Sequence, residues 1–117
     1  MAKKILIIED DPTVVKYLST LFQDNGYETC SAADGVEGFE VLKKEPPDLI
    51  TLDLDMSKET GPRFFRRMSQ SKEFSHLPVI VISGLSRPEL AMRKVVAVLG
   101  KPFDPNELLN LVRHTIG

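Results

Sequence analysis

The sequence predicts an α/β fold, a five-stranded parallel sheet doubly wound by helices into a (βα)5 sandwich. Three observations predict it. Short aliphatic runs alternate with amphipathic stretches about five times along 117 residues. The clearest runs, Ile5-Leu6-Ile7-Ile8 and Val79-Ile80-Val81-Ile82, are apolar at every position, as strands covered on both faces are. The intervals between runs leave room for the crossovers of about a dozen residues that parallel strands require.

Taken in order, the first run ends in acid. Asp11 then reads as a helix N-cap with Pro12 at the first helical position, and Val14, Val15, Leu18, Leu21 and Phe22 fall on one helical face. Asn25-Gly26 stops that helix. Tyr27–Ser31 is a weaker strand. Asp34 with Glu37 forms a capping-box pattern, followed by Val36, Phe39 and Leu42 on the helix it opens. Glu45-Pro46-Pro47-Asp48 is a turn, and Leu49-Ile50-Thr51-Leu52 is a strand ending at Asp53. Gly61-Pro62 opens a third helix carrying Phe64, Phe65 and Met68. Val79–Ile82 is the fourth strand, ending at Ser83-Gly84, and Ser86-Arg87-Pro88-Glu89 begins a fourth helix. Val95–Leu99 is a fifth strand leading to Gly100-Lys101-Pro102. Asp104-Pro105-Asn106-Glu107 caps a last helix with Leu108, Leu109, Val112 and Ile116 on one face.

Composition narrows the function. Apolar residues at 42% support one buried core, and the length suits one domain spanning 1–117. Lys plus Arg is 15 and Asp plus Glu 17, so a charge of −2 gives no electrostatic case for direct nucleic acid binding. No apolar run approaches the roughly 20 residues of a membrane span, which predicts no membrane insertion. Only four apolar residues follow the basic start before Glu9, so this is not a signal peptide pattern. The single cysteine, Cys30, cannot form an internal disulfide and suits a reducing cytoplasm.

In a parallel doubly wound sheet, functional groups gather at the carboxyl ends of the strands. Those ends carry Glu9-Asp10-Asp11, then Asp53 with Asp55 just beyond, then Ser83, then Lys101. Three or four carboxylates in one crevice repel and call for a cation. Oxygen donors with open water positions suit Mg²⁺, and there is no Cys/His cluster to favour zinc. A metal, a lysine and a hydroxyl around an aspartate make a clamp for a phosphoryl group on that aspartate. The acid and Pro12 after the first strand also exclude a helix N-terminus cradling a nucleotide or flavin phosphate there.

At these residues the chain resembles the receiver domain of bacterial two-component response regulators, a flavodoxin-like fold. The markers are Ile5-Leu6-Ile7-Ile8-Glu9-Asp10-Asp11-Pro12, Leu52-Asp53-Leu54-Asp55-Met56 with Gly61 following, Val81-Ile82-Ser83-Gly84, and Lys101-Pro102-Phe103. The resemblance covers essentially the whole chain. It implies that Asp53 accepts a phosphoryl group from a sensor histidine kinase or a histidine phosphotransfer protein. It further implies that Asp10, Asp11, Asp53 and the main-chain carbonyl of Asp55 hold Mg²⁺, that Ser83 and Lys101 contact phosphoryl oxygens, and that Lys101-Pro102 is cis. Output would pass by docking to a downstream target protein or through a fused output domain. A cytoplasmic signalling module of this kind has no independent substrate turnover.

The chain also departs from the family pattern. Ser57 stands where proline is usual, and Val98 where a switch aromatic lies three residues before the lysine. The usual Gly-Ala-Asp stretch before the last strand is missing, and the Ser83-to-Lys101 interval is short. Valine is too short and stiff to swing as an aromatic does, so an altered output switch between the fourth helix and fifth strand is expected. Two other functions compete. One is a pseudo-receiver, an interaction module without phosphorylation, opposed by the full set of acids and the lysine. The other is a haloacid-dehalogenase-type phosphatase, suggested by Asp53-Leu54-Asp55. It is opposed because that motif normally follows the first strand. Phe39, Phe64, Phe65, Met68 and Met92 read as core. Cys30 reads as a small core residue, and His76 and His114 as surface residues.

Overall fold

The computed structural model describes residues 2–56, 60–84 and 95–117. The expected fourth helix from Ser86, the Met92 position and the Ser57 departure lie outside the described residues. Five strands are present: β1 (Lys4–Ile8), β2 (Glu28–Ala32), β3 (Leu49–Asp53), β4 (Val79–Ser83) and β5 (Val95–Gly100). Among the described residues they alternate with four helices: α1 (Pro12–Gln23), α2 (Gly35–Lys44), α3 (Thr60–Gln70) and α4 (Pro105–Ile116). The sheet order is β2-β1-β3-β4-β5 and every pairing is parallel.

The continuous apolar strands are explained by two cores, one on each face of the sheet. Leu6, Ile8, Ile50, Leu52, Val79 and Val81 point to one face and meet Phe39 and Leu42 of α2 with Phe64 and Met68 of α3. Ile5, Ile7, Leu49, Ile80, Ile82 and Leu99 point to the other and meet Leu18 and Phe22 of α1 with Leu108, Leu109 and Val112 of α4. Successive side chains alternate between faces, so a strand covered twice must be apolar throughout.

The helix starts follow their local chemistry. Asp11 is extended and its Oδ1 accepts from the Thr13 amide at 2.9 Å, with Pro12 at the first helical position. Asp34 Oδ1 accepts from the Glu37 amide at 2.8 Å, and Asp104 Oδ1 from the Asn106 amide at 2.9 Å. Gly26 has φ 91°, a left-handed conformation that ends α1 and returns the chain to β2.

Some details differ from expectation. Strand β2 begins one residue later than the sequence suggested and reaches Ala32. Val36 is 65% exposed. The apolar face of α2 runs instead through Gly35, Gly38, Phe39 and Leu42. At Gly38 a Cβ would stand 2.8 Å from Ile8 Cδ1, so glycine lets α2 lie close against β1. Phe74 and Leu77, beyond α3, complete the same core, with Phe74 edge-on to Phe39 at 5.9 Å between centroids. Cys30 is half-buried against this core.

Candidate functional site

The sheet order reverses between β1 and β3, because the chain leaves β1 for β2 on one side and returns to β3 on the other. The crevice outside the strands' carboxyl ends opens at such a point. Glu9 and Asp10 follow β1, Asp53 closes β3, Ser83 closes β4, and Lys101 follows β5. All of them therefore stand on one rim.

Asp53 lies at the centre, with its side chain only 4% exposed. Its Oδ1 accepts from Lys101 Nζ at 3.0 Å and from the Asp55 amide at 2.9 Å. Lys101 reaches across from β5 and also approaches Asp55 Oδ2 at 3.3 Å. Burial works against the Lys101 ammonium, but the hydrogen bond and charge of Asp53, with those of Asp55, outweigh it and raise its pKa above the usual value. The peptide bond between Lys101 and Pro102 is cis.

Carboxylate oxygens of Glu9, Asp10 and Asp53 lie within 4.8 Å of one another, an all-oxygen donor set of the kind that holds a hard divalent cation. Glu9 is buried, Asp10 is exposed and Asp53 is buried, so the group opens to solvent on one side. Asp11 stands outside it, since its carboxylate caps α1. Glu9 is within the group, although the carboxylates that the resemblance implies for the metal are those of Asp10, Asp11 and Asp53. The Glu9 amide donates to Ala32 O at 3.0 Å, so strand pairing runs one residue past β1 and keeps this side chain inside. The signal was its position, directly after four aliphatic residues with no turn between. Burial, and then the hydrogen bond and charge of Asp53, push the Glu9 carboxyl up to about 8, against partial relief from the Asp11 amide and Lys101.

Asp55 faces β4. Its Oδ1 accepts from Ser83 Oγ at 2.9 Å and its Oδ2 from the Gly84 amide at 2.6 Å. Burial raises its pKa, but the Gly84 amide, the Ser83 hydroxyl and Lys101 together hold the carboxyl below the usual range. The Gly84 amide is a donor that the sequence did not single out, because a backbone group leaves no trace in residue type. Gly61, at the start of α3, backs the site from behind: a Cβ there would stand 3.0 Å from Asp53 O and 3.2 Å from Leu54 Cδ2. Val98, in the place of the expected aromatic, is half-buried against the core on the α2–α3 face.

A parallel sheet in this order, with acids after β1 and β3 and a lysine after β5, defines a signalling receiver class. A sequence model described as the response regulator receiver domain matches residues 5–113, and the chain belongs to that family, the receiver domains of two-component systems. Protein Rrf1 of Nitratidesulfovibrio vulgaris is 34% identical over 116 residues, covering 99% of this chain and 84% of that protein. The chain spans about half the length of other relatives that are 33% and 32% identical to it. Among solved structures, chemotaxis protein CheY4 of Vibrio cholerae superposes with a TM-score of 0.89 at 27% identity, over 99% of this chain and 100% of that one. The receiver domain of sensor histidine kinase PA1611 of Pseudomonas aeruginosa shares the fold at a TM-score of 0.87 and 21% identity, over 100% of this chain and 99% of that one. Its own crystal structure holds a magnesium ion in the active site cleft. No helix among the described residues is long and apolar enough to cross a membrane.

Proposed function

We propose that residues 1–117 form one phosphoacceptor receiver domain, taking a phosphoryl group onto Asp53 from the phosphohistidine of a sensor histidine kinase or a histidine phosphotransfer protein. The observation that carries this reading is the 3.0 Å pair between Lys101 Nζ and Asp53 Oδ1 beside the Glu9, Asp10 and Asp53 carboxylates. An aspartate that is almost fully buried, paired to a lysine from a strand two places away, suits a nucleophile whose developing charge must be met on arrival.

In the transfer, one Asp53 oxygen forms a bond to phosphorus as the bond from phosphorus to the imidazole nitrogen breaks, and the donor histidine keeps the electron pair. Lys101 and the Asp55 amide hold Asp53 Oδ1 and so fix the orientation of the carboxylate that attacks. No general base is needed, because an ionised carboxylate has no proton to lose. Lys101 neutralises charge on the phosphoryl oxygens, and Ser83 Oγ supplies a neutral donor.

Mg²⁺ fits the donor set. Asp10 and Asp53 with the Asp55 main-chain carbonyl would hold it, with Glu9 beside them and Asp11 acting through water. It would supply positive charge between the carboxylates and the incoming phosphoryl oxygens. Magnesium in the cleft of the PA1611 receiver domain supports this assignment by fold alone. The phosphorylated state would be read by a downstream target protein or a fused output domain. The domain works in the cytoplasm without turnover of an independent substrate.

The test is incubation with acetyl phosphate or phosphoramidate and Mg²⁺, read by intact mass, with Asp53→Asn as control. One added phosphoryl group, lost in the control, is expected. An unmodified protein under every donor would leave the fold serving as a phosphate-free interaction module.

A further inference from the structure

The side chain of Asp55 has no assigned role in the transfer, yet three donors converge on its carboxylate. Ser83 Oγ donates to Oδ1 at 2.9 Å, the Gly84 amide donates to Oδ2 at 2.6 Å, and Lys101 Nζ lies 3.3 Å from Oδ2. A hydroxyl, a backbone amide and an ammonium converging on one anion make the kind of donor set that holds phosphoryl oxygens. Asp55 is two residues from Asp53, and Lys101 bridges the two carboxylates, so the set opens beside the acceptor.

We propose that Asp55 is an internal anion seated in the phosphoryl cradle, a latch that must leave Ser83, Gly84 and Lys101 before a phosphoryl group on Asp53 can take those donors. This rests on the reading of Asp53 as the phosphoacceptor and adds a positioning residue to it. Two physical effects act in the same direction. The donors serve either the Asp55 carboxylate or the phosphoryl oxygens, since each hydrogen is shared poorly between two anions. A carboxylate that stayed in place would also repel the phosphoryl charge at short range. The Asp55 side chain is 23% exposed, so its exit is toward solvent and needs no opening of the core. The latch therefore slows phosphorylation, because in the unmodified protein Ser83 and Gly84 already donate to Asp55.

The experiment compares wild type, Asp55→Asn and Asp55→Ala, each checked for folding by thermal melting, in acetyl phosphate labelling with Mg²⁺. Loss of charge-assisted hydrogen bonds from the resting state predicts labelling about tenfold faster in both variants. In wild-type protein, addition of beryllofluoride is followed by NMR at the Asp55 side-chain carboxyl carbon and the Gly84 amide. The latch predicts that the Asp55 carboxyl signal moves toward that of a solvent-exposed aspartate while the Gly84 amide stays hydrogen-bonded. Variants that label at the wild-type rate or slower, or an Asp55 signal that does not move in a beryllofluoride-bound protein, overturn the latch. Failure of wild type and both variants to accept any phosphoryl group or beryllofluoride would instead remove the acceptor reading beneath it.

Discussion

At the scale of single residues, the site is a balance among four acids and one lysine. Glu9 shows it most directly, because burial and the neighbouring Asp53 raise its carboxyl from 4.5 to about 8. The folded state then keeps a proton that the unfolded chain releases above 4.5, so this contribution to stability is full below that pH and is lost as pH rises through about 8. Urea titrations in EDTA across that window should show wild type losing stability relative to Glu9→Gln, and parallel curves would contradict it. Thr51 poses a different residue-level problem. Its Oγ1 is buried on β3 with no hydrogen-bond partner. An unpartnered hydroxyl in an apolar core costs its desolvation, so Thr51→Val should raise stability by about 1 kcal/mol, measured by chemical denaturation.

At the scale of elements, what matters is how closely a helix is allowed to approach the strand that bears the acceptor. Gly61 brings the start of α3 against Asp53 O and Leu54, where a Cβ would stand at 3.0 Å from a backbone oxygen that cannot turn away. Gly61→Ala should therefore displace the β3 end, and acetyl phosphate labelling of Asp53 should slow several-fold while the fold survives. Rates equal to wild type would show that α3 moves and the acceptor does not. Helix α2 has the same closeness at Gly38, and it explains why Val36 is turned out to solvent. The helix rotates so that Gly38, and not a β-branched residue, faces Ile8. Arg67 of α3 adds a stacked guanidinium 3.9 Å from the Phe39 ring centroid, tying the exposed side of α3 to α2.

At the scale of the whole molecule, the parallel order β2-β1-β3-β4-β5 gathers groups that are far apart in the chain. Lys101 and Asp53 are 48 residues apart and bonded at 3.0 Å. A cation that binds only this gathered state stabilises folding by mass action, by about 2.7 kcal/mol at a hundredfold excess over its dissociation constant. Added Mg²⁺ should raise the melting temperature of wild type in a concentration-dependent way. Asp10→Asn should blunt that rise, since Asp10 supplies one of the three grouped carboxylates. An equal response in the two proteins would place the cation elsewhere.

Several features were legible from residue order alone. Strands apolar at every position announced a sheet covered on both faces, and Asp-Pro at two helix starts announced their caps, because both patterns are fixed by local chemistry and by the two-residue period of a strand. The residues at the ends of those strands were legible for the same reason: once a strand is parallel, its carboxyl end is on a known rim. Packing decided the rest. Glu9 and Asp11 are near neighbours of similar charge, and only strand pairing to Ala32 and the capping of α1 separate the one inside the carboxylate group from the one outside it. The bonds of Asp55 to Ser83 and Gly84 span 28 and 29 residues, and one of them uses a backbone amide that every residue but proline possesses. Sequence determined which chemistry the rim carries, whereas the hydrogen-bond partners of each carboxylate were decided by long-range packing, which has no local signature.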